Sequence, residues 1–151
     1  MKTKPRMRID TSQRYDQCFG CGPKNPIGLK LSFKQDGKTA RAEFIPTEFY
    51  QSWGGIVHGG IITTILDEAM FYAAFFEGVS CVTASIEAKF RHPILIGEPL
   101  TITGFVTGKR GKLVETEAAI SSMDGTLLAE GKAKQVILNT APSSESEEGE
   151  T

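Results

Sequence analysis

The sequence predicts an α+β domain in which an antiparallel sheet wraps around one long helix. Three observations lead there. A short hairpin signal comes first, a long apolar segment nearly free of charge follows, and four long strand segments separated by turns complete the order. With 151 residues the chain has enough for one domain with a modest core.

The elements follow in chain order. Residues 1–14 are polar and basic and read as a flexible N-terminal segment ahead of a domain spanning 15–140. Cys18-Phe19-Gly20-Cys21-Gly22-Pro23 and Asn25-Pro26-Ile27-Gly28 are turn material. Leu29 to Gln35 alternates apolar and polar, Asp36-Gly37 turns the chain, and Thr39 to Ile45 returns as the second strand of a hairpin. Residues 46–57 form a loop with Pro, Gly and aromatic residues. The helix runs from 59 to about 77. A meander of four long strands follows: Val79–Arg91, Leu100–Gly108, Leu113–Met123 and Thr126–Leu138. They are punctuated by His92-Pro93 with Gly97-Glu98, by Lys109-Arg110-Gly111, and by Asp124-Gly125. Residues 141–151 have almost nothing apolar to bury and read as a disordered acidic tail.

The helix composition is unusual. It carries Asp67, Glu68 and Glu77 but no Lys or Arg, so it lacks the charged outer face of a surface helix. At ~100° per residue, Ile61, Ile62, Ile65, Leu66, Ala69, Met70, Ala73 and Phe76 share one broad face, with Phe71 and Phe75 on the other side. Such a helix needs cover on both sides, from its own sheet and from a partner chain. A membrane span is disfavoured, because each central carboxylate costs about 2.5–3.5 kcal/mol in a bilayer. Asp67 and Glu68 point about 100° apart and cannot do the same job.

Charge narrows the partners. Removing the four acids of the tail from a net charge of −1 leaves +3 for residues 1–140. That mildly basic body suits a phosphate-bearing ligand, and no basic recognition helix points to nucleic acid. Met1-Lys2-Thr3-Lys4-Pro5-Arg6 is basic, but no apolar signal core follows it. Three cysteines, an odd number, then point to a reducing cytoplasmic setting.

The chemistry concentrates at Val57-His58-Gly59-Gly60, with Asp67 nine residues after the histidine. Adjacent glycines let backbone approach a ligand. A helix starting there offers unpaired N–H groups and a partial positive charge, which together polarise a carbonyl. An acid two turns further on supplies a base or nucleophile.

The full ordered set is Cys18 to Leu29, Tyr50-Gln51, the histidine-diglycine helix start, Leu66-Asp67-Glu68-Ala69 and Phe90-Arg91-His92-Pro93. It resembles the hotdog-fold acyl-CoA thioesterases, in their PaaI-like branch, over roughly residues 15–138. The resemblance implies a hotdog fold and a thioester hydrolase with no metal or separate cofactor, coenzyme A being part of the substrate. It implies that Gly59 N–H holds the thioester carbonyl, that Asp67 acts as base or nucleophile, and that Thr83, usually from the partner subunit, places water or the acid. A loop residue before the histidine often completes the site. Ser52 stands where many members have Asn, and its neighbour Gln51 resembles the alternative of another branch. The resemblance also implies a homodimer or a dimer of dimers, with sites at the dimer interface.

Other roles are read from the residues themselves. His58 fits positioning of the loop better than base catalysis, since Asp67 already fits the base. Gly60 lies beside the carbonyl site. Arg91, Lys109 and Arg110 are candidates for the phosphates of coenzyme A. Trp53 either lines an acyl pocket or anchors its loop, and His92 reads as a turn residue. Cys18 and Cys21 read as a structural turn: zinc takes about four ligands, and the remaining candidates Cys81, His58 and His92 stand at no recognised spacing. Two alternatives to hydrolysis stay open, a non-catalytic acyl-CoA-binding or regulatory module and a dehydratase or hydratase of the same fold.

Overall fold

The structure is a computed structural model that describes residues 16–139. The N-terminal segment 1–14 and the tail 141–151 of the sequence reading lie outside the described residues. Strands β1 (Lys34–Asp36) and β2 (Thr39–Phe44) form the hairpin, and a short 3-10 turn spans Glu48–Tyr50. Helix α1 covers Gly59–Phe75. Strands β3 (Ser80–Phe90), β4 (Leu100–Arg110), β5 (Leu113–Ser122) and β6 (Leu127–Asn139) follow. All six strands pair antiparallel in the order β1-β2-β4-β5-β6-β3.

Two sequence expectations are corrected. The first strand is three residues long rather than Leu29 to Gln35. Leu29 and Leu31 are instead buried beneath the loop, where Leu29 N–H donates to Phe19 O and Leu31 N–H to Gly20 O. The four long strands are also not one simple meander. β4, β5 and β6 are, but β3 crosses to the far edge and pairs with β6.

The helix lies on the concave face of the sheet. Ile62, Ile65, Leu66, Ala69 and Met70 are buried against Ile102, Ile120, Ala129 and Ala133. Gly104 of β4 permits this close approach: a Cβ there would sit 2.4 Å from the Ala69 carbonyl oxygen. Phe71 and Phe75 stack on each other, and Tyr72 stacks on Phe33, so the C-terminal half of the helix carries an aromatic cluster.

Among the described residues β3 is an uncovered edge. Residues 82–87 are exposed on both faces of this strand. A long edge strand with free backbone groups is a template for pairing with another chain.

Candidate active site

His58 caps α1. Its Nδ1 accepts the Gly60 N–H at 2.8 Å, and its carbonyl accepts from Ile61 and Ile62. An accepting Nδ1 places the ring proton on Nε2. The histidine therefore organises the helix start. With Gly60 N–H used by the cap, the Gly59 N–H has no partner among the described residues. No acid in the first turn neutralises the positive end of the helix dipole. One exposed amide is thus left at the positive end of the helix.

The loop before the histidine is held by the residues expected to complete the site. Gln51 Oε1 accepts the Gly55 N–H at 2.9 Å, Ser52 Oγ donates to Ile56 O at 3.4 Å, and His58 N–H donates to Tyr50 O. The Gln51 amide nitrogen keeps its donors free of this turn. Trp53 is 82% exposed and touches neither the core nor the cleft.

That cleft, of about 330 Å³, opens beside Gly59. Ile56, Val57, Ile62, Phe90, Pro93 and Ile94 line it, with Arg91 and His92 at its rim. The Phe90 ring reaches within 4 Å of where a Gly59 Cβ would stand. The sequence reading passed over Phe90 as a site residue, although its place beside Arg91-His92-Pro93 was the available signal.

Asp67 and Thr83 meet. Thr83 Oγ1 donates to Asp67 Oδ1 at 2.6 Å, a charge-assisted bond that fixes one carboxylate oxygen. Backbone parity explains how. Ala88 packs on the helix core, and Thr83 is an odd number of residues away, so regular pleating would turn Thr83 outward. The register slips between Thr83 and Ser85, making a bulge at Ala84 that restores Thr83 to the helix side. Opposite Thr83 on β6, Gln135 is buried with its Oε1 lacking a hydrogen-bond partner among the described residues. A lone glutamine among Ala129, Gly131, Ala133 and Ile137 on the inward face was a signal that sequence reading did not use.

Other expected partners are kept apart. Gly59 and Asp67 are eight residues apart on one helix, about 12 Å along the axis, so one chain cannot bring both to the same carbonyl. Arg91 stays at the cleft, its Nε 3.2 Å from Glu130 Oε2, which holds that carboxyl below the ordinary range. Lys109 and Arg110 sit at the opposite end of β4, nine and ten residues beyond Leu100, about 30 Å of extended strand.

Comparison with known proteins agrees with this geometry. The model of the thioesterase superfamily matches residues 54–129, from the loop before His58 into β6. An uncharacterized protein of Schizosaccharomyces pombe is 30% identical over 62% of this chain and 54% of its own length. A candidate esterase of Saccharolobus solfataricus is 33% identical over 58% of this chain and 63% of its own length. The matches thus span between about half and two thirds of those relatives. Among solved structures, a thioesterase superfamily protein is similar with a TM-score of 0.74 and 26% identity, over 78% of this chain and 61% of its own. The Escherichia coli PaaI protein of the phenylacetic acid degradation operon has a TM-score of 0.69 and 20% identity, over 75% and 83%. A hypothetical thioesterase of Streptococcus pneumoniae, solved with coenzyme A, has a TM-score of 0.69 and 14% identity, over 73% and 87%. The fold expected from the sequence, a hotdog, is the fold observed.

Proposed function

The chain belongs to the thioesterase superfamily, and from that premise we propose that it hydrolyses an acyl-CoA thioester to a free acid and coenzyme A. The observation that carries the reading is the Thr83–Asp67 hydrogen bond on a helix that holds no Lys or Arg to pair with its acids. A carboxylate aimed by a neighbour's hydroxyl at the open edge of the sheet is placed as a working group needs to be. The coenzyme A held by the Streptococcus pneumoniae relative supports the same substrate class.

In this reading the Gly59 N–H and the helix dipole hold the thioester oxygen as it gains charge. Asp67 either takes a proton from water, whose oxygen attacks the carbonyl carbon, or attacks that carbon itself to form an anhydride that water then opens. In both routes the C–S bond breaks and the thiolate of coenzyme A leaves and is protonated. No step calls for a metal. Thr83 holds Oδ1 and leaves Oδ2 to react.

The 12 Å between Gly59 and Asp67, about eight residues of helix rise, makes a second copy part of the site. Pairing across the free edge of β3 sets the Gly59 of one copy against the Asp67 of the other. The same pairing brings the Lys109 and Arg110 of one chain toward the cleft of its partner, where they join Arg91 on the phosphates. The protein then works as a homodimer or a dimer of dimers, in the cytoplasm. Light scattering at low micromolar concentration is expected to give at least a dimer, and an active monomer contradicts the shared site.

The apolar cleft with Phe90 at its wall favours an aromatic or medium-length acyl group. Thiol release from a panel of acyl-CoA esters tests the function and the substrate together. Turnover that vanishes in Asp67→Asn supports the reading. Tight acyl-CoA binding without turnover in the parent chain overturns it in favour of a binding module.

A further inference from the structure

We infer that Cys18, Cys21 and Glu68 form a binding site for a zinc-class divalent ion that fastens the N-terminal loop to the central helix. The inference stands apart from hydrolysis and needs no catalytic role for the ion.

The three side chains come from distant parts of the chain yet converge. Each offers one donor atom, and all three donors lie within 4.8 Å of one another. Cys18 Sγ is 3.5 Å from Glu68 Oε1, and both cysteines are free thiols. The second carboxylate oxygen, Glu68 Oε2, is buried with no hydrogen-bond partner among the described residues. A buried carboxylate oxygen left in that state is unfavourable, and a cation beside it removes the penalty. Tyr72, one helical turn after Glu68, lies beside Cys21 and brings a fourth polar atom to the cluster.

The loop is built to allow this approach. A Cβ on Gly20 would lie 2.3 Å from Glu68 Cγ and 2.7 Å from its Oε1. A Cβ on Gly22 would lie 2.4 Å from both Asp16 O and Cys18 N. Gly22 N–H donates to Cys18 O at 2.8 Å, closing the turn that sets the two thiols side by side. Leu29 and Leu31 pin the turn from behind through Phe19 O and Gly20 O. Glycines here make room for one carboxylate among two thiols, and no packing need of the core explains that.

The donor set selects the ion. A tetrahedral zinc ion about 2.3 Å from sulfur and 2.0–2.2 Å from oxygen separates its donors by about 3.6–3.8 Å. Small side-chain rotations bring the present spacing to that value. Calcium and magnesium ask for a shell of six or more oxygens and gain little from thiolates. Tyr72 or a water supplies the fourth position. The sequence reading counted only Cys and His as partners for the cysteine pair. Glu68, 47 residues beyond Cys21, is the ligand that count omitted.

The test titrates the reduced full-length protein with Zn(II) against a chromophoric chelator, and in parallel with Co(II). The expected result is one equivalent per chain, a thiolate-to-cobalt charge-transfer band, and a higher melting temperature with Zn(II). Cys18→Ser and Cys21→Ser should abolish the band, Glu68→Gln should weaken binding at least tenfold, and Cys81→Ser should bind like the parent. The parental titration stands even if a variant fails to fold. No uptake by the parent overturns the inference, as does uptake that persists in Cys18→Ser or depends on Cys81. A Cys18–Cys21 disulfide that forms in air despite saturating Zn(II) also overturns it.

Discussion

Asp67 and Glu68 are neighbours in sequence with nearly the same chemistry, and the fold gives them opposite surroundings. Asp67 points toward β3, accepts a hydrogen bond from Thr83, and faces the uncovered edge of the sheet. Glu68 points toward the Cys18–Cys21 turn, is largely buried, and has its ionisation suppressed by desolvation. One residue of helix, about 100° of rotation, separates an acid at the open edge of the sheet from an acid beside two thiols. A titratable group takes its role from what covers its side of the helix.

The largest expected effect breaks the open side. Asp67→Asn should lower kcat by about 10²–10⁴-fold, the range of general base assistance. Its melting temperature should barely move, because the amide keeps the shape and the Thr83 contact. Steady-state thiol release and a thermal melt on one preparation check both halves.

Thr83→Ala comes next. A hydrogen bond to a charged group is worth about 1.5–3 kcal/mol, or roughly a 10–150-fold loss of turnover if spent on aiming the acid. A purely structural threonine would lower the melting temperature and leave specific activity intact. Measuring kcat beside stability distinguishes the two.

Gly20→Ala probes the enclosed side. Its Cβ collides with the Glu68 side chain, and overpacking of this kind costs about 1–3 kcal/mol. Urea denaturation should show that loss, while specific activity of the folded protein stays close to parental.

The smallest effect lies away from both flanks, at the Asp124-Gly125 turn between β5 and β6. Ser122 Oγ and Thr126 N–H donate to Asp124, and its carboxyl is held down at about 2. A depressed acid adds stability above the ordinary Asp range, and that stability is lost as pH falls toward 2. Asp124→Asn should flatten this acid limb slightly and leave the neutral region alone.

Much of this was legible in the sequence, for local reasons. The apolar, charge-poor run marked the helix, and turn residues bounded the four long strands within a residue or two. The glycines after His58 located its N-terminus. What escaped was non-local. The exchange of β3 to the outer edge depends on which strand the helix crossover reaches, and pairing is not written in one strand's pattern. The bulge at Ala84 adds one residue to an alternation that reads as continuous. Arg91 and Lys109 look alike as basic residues near turns, but the length of β4 puts them at opposite ends. The Glu68–cysteine cluster joins positions 47 and 50 residues apart, beyond any spacing motif.

The central claim is that the two adjacent acids serve separate sites, and one pair of variants tests it most directly. Acyl-CoA hydrolysis and bound zinc should be measured on the same preparations of Asp67→Asn and Glu68→Gln, below the melting point of each. Asp67→Asn is expected to lose hydrolysis and keep its zinc, and Glu68→Gln to lose zinc and keep hydrolysis within a few-fold. Hydrolysis that survives in Asp67→Asn and disappears in Glu68→Gln would contradict the account.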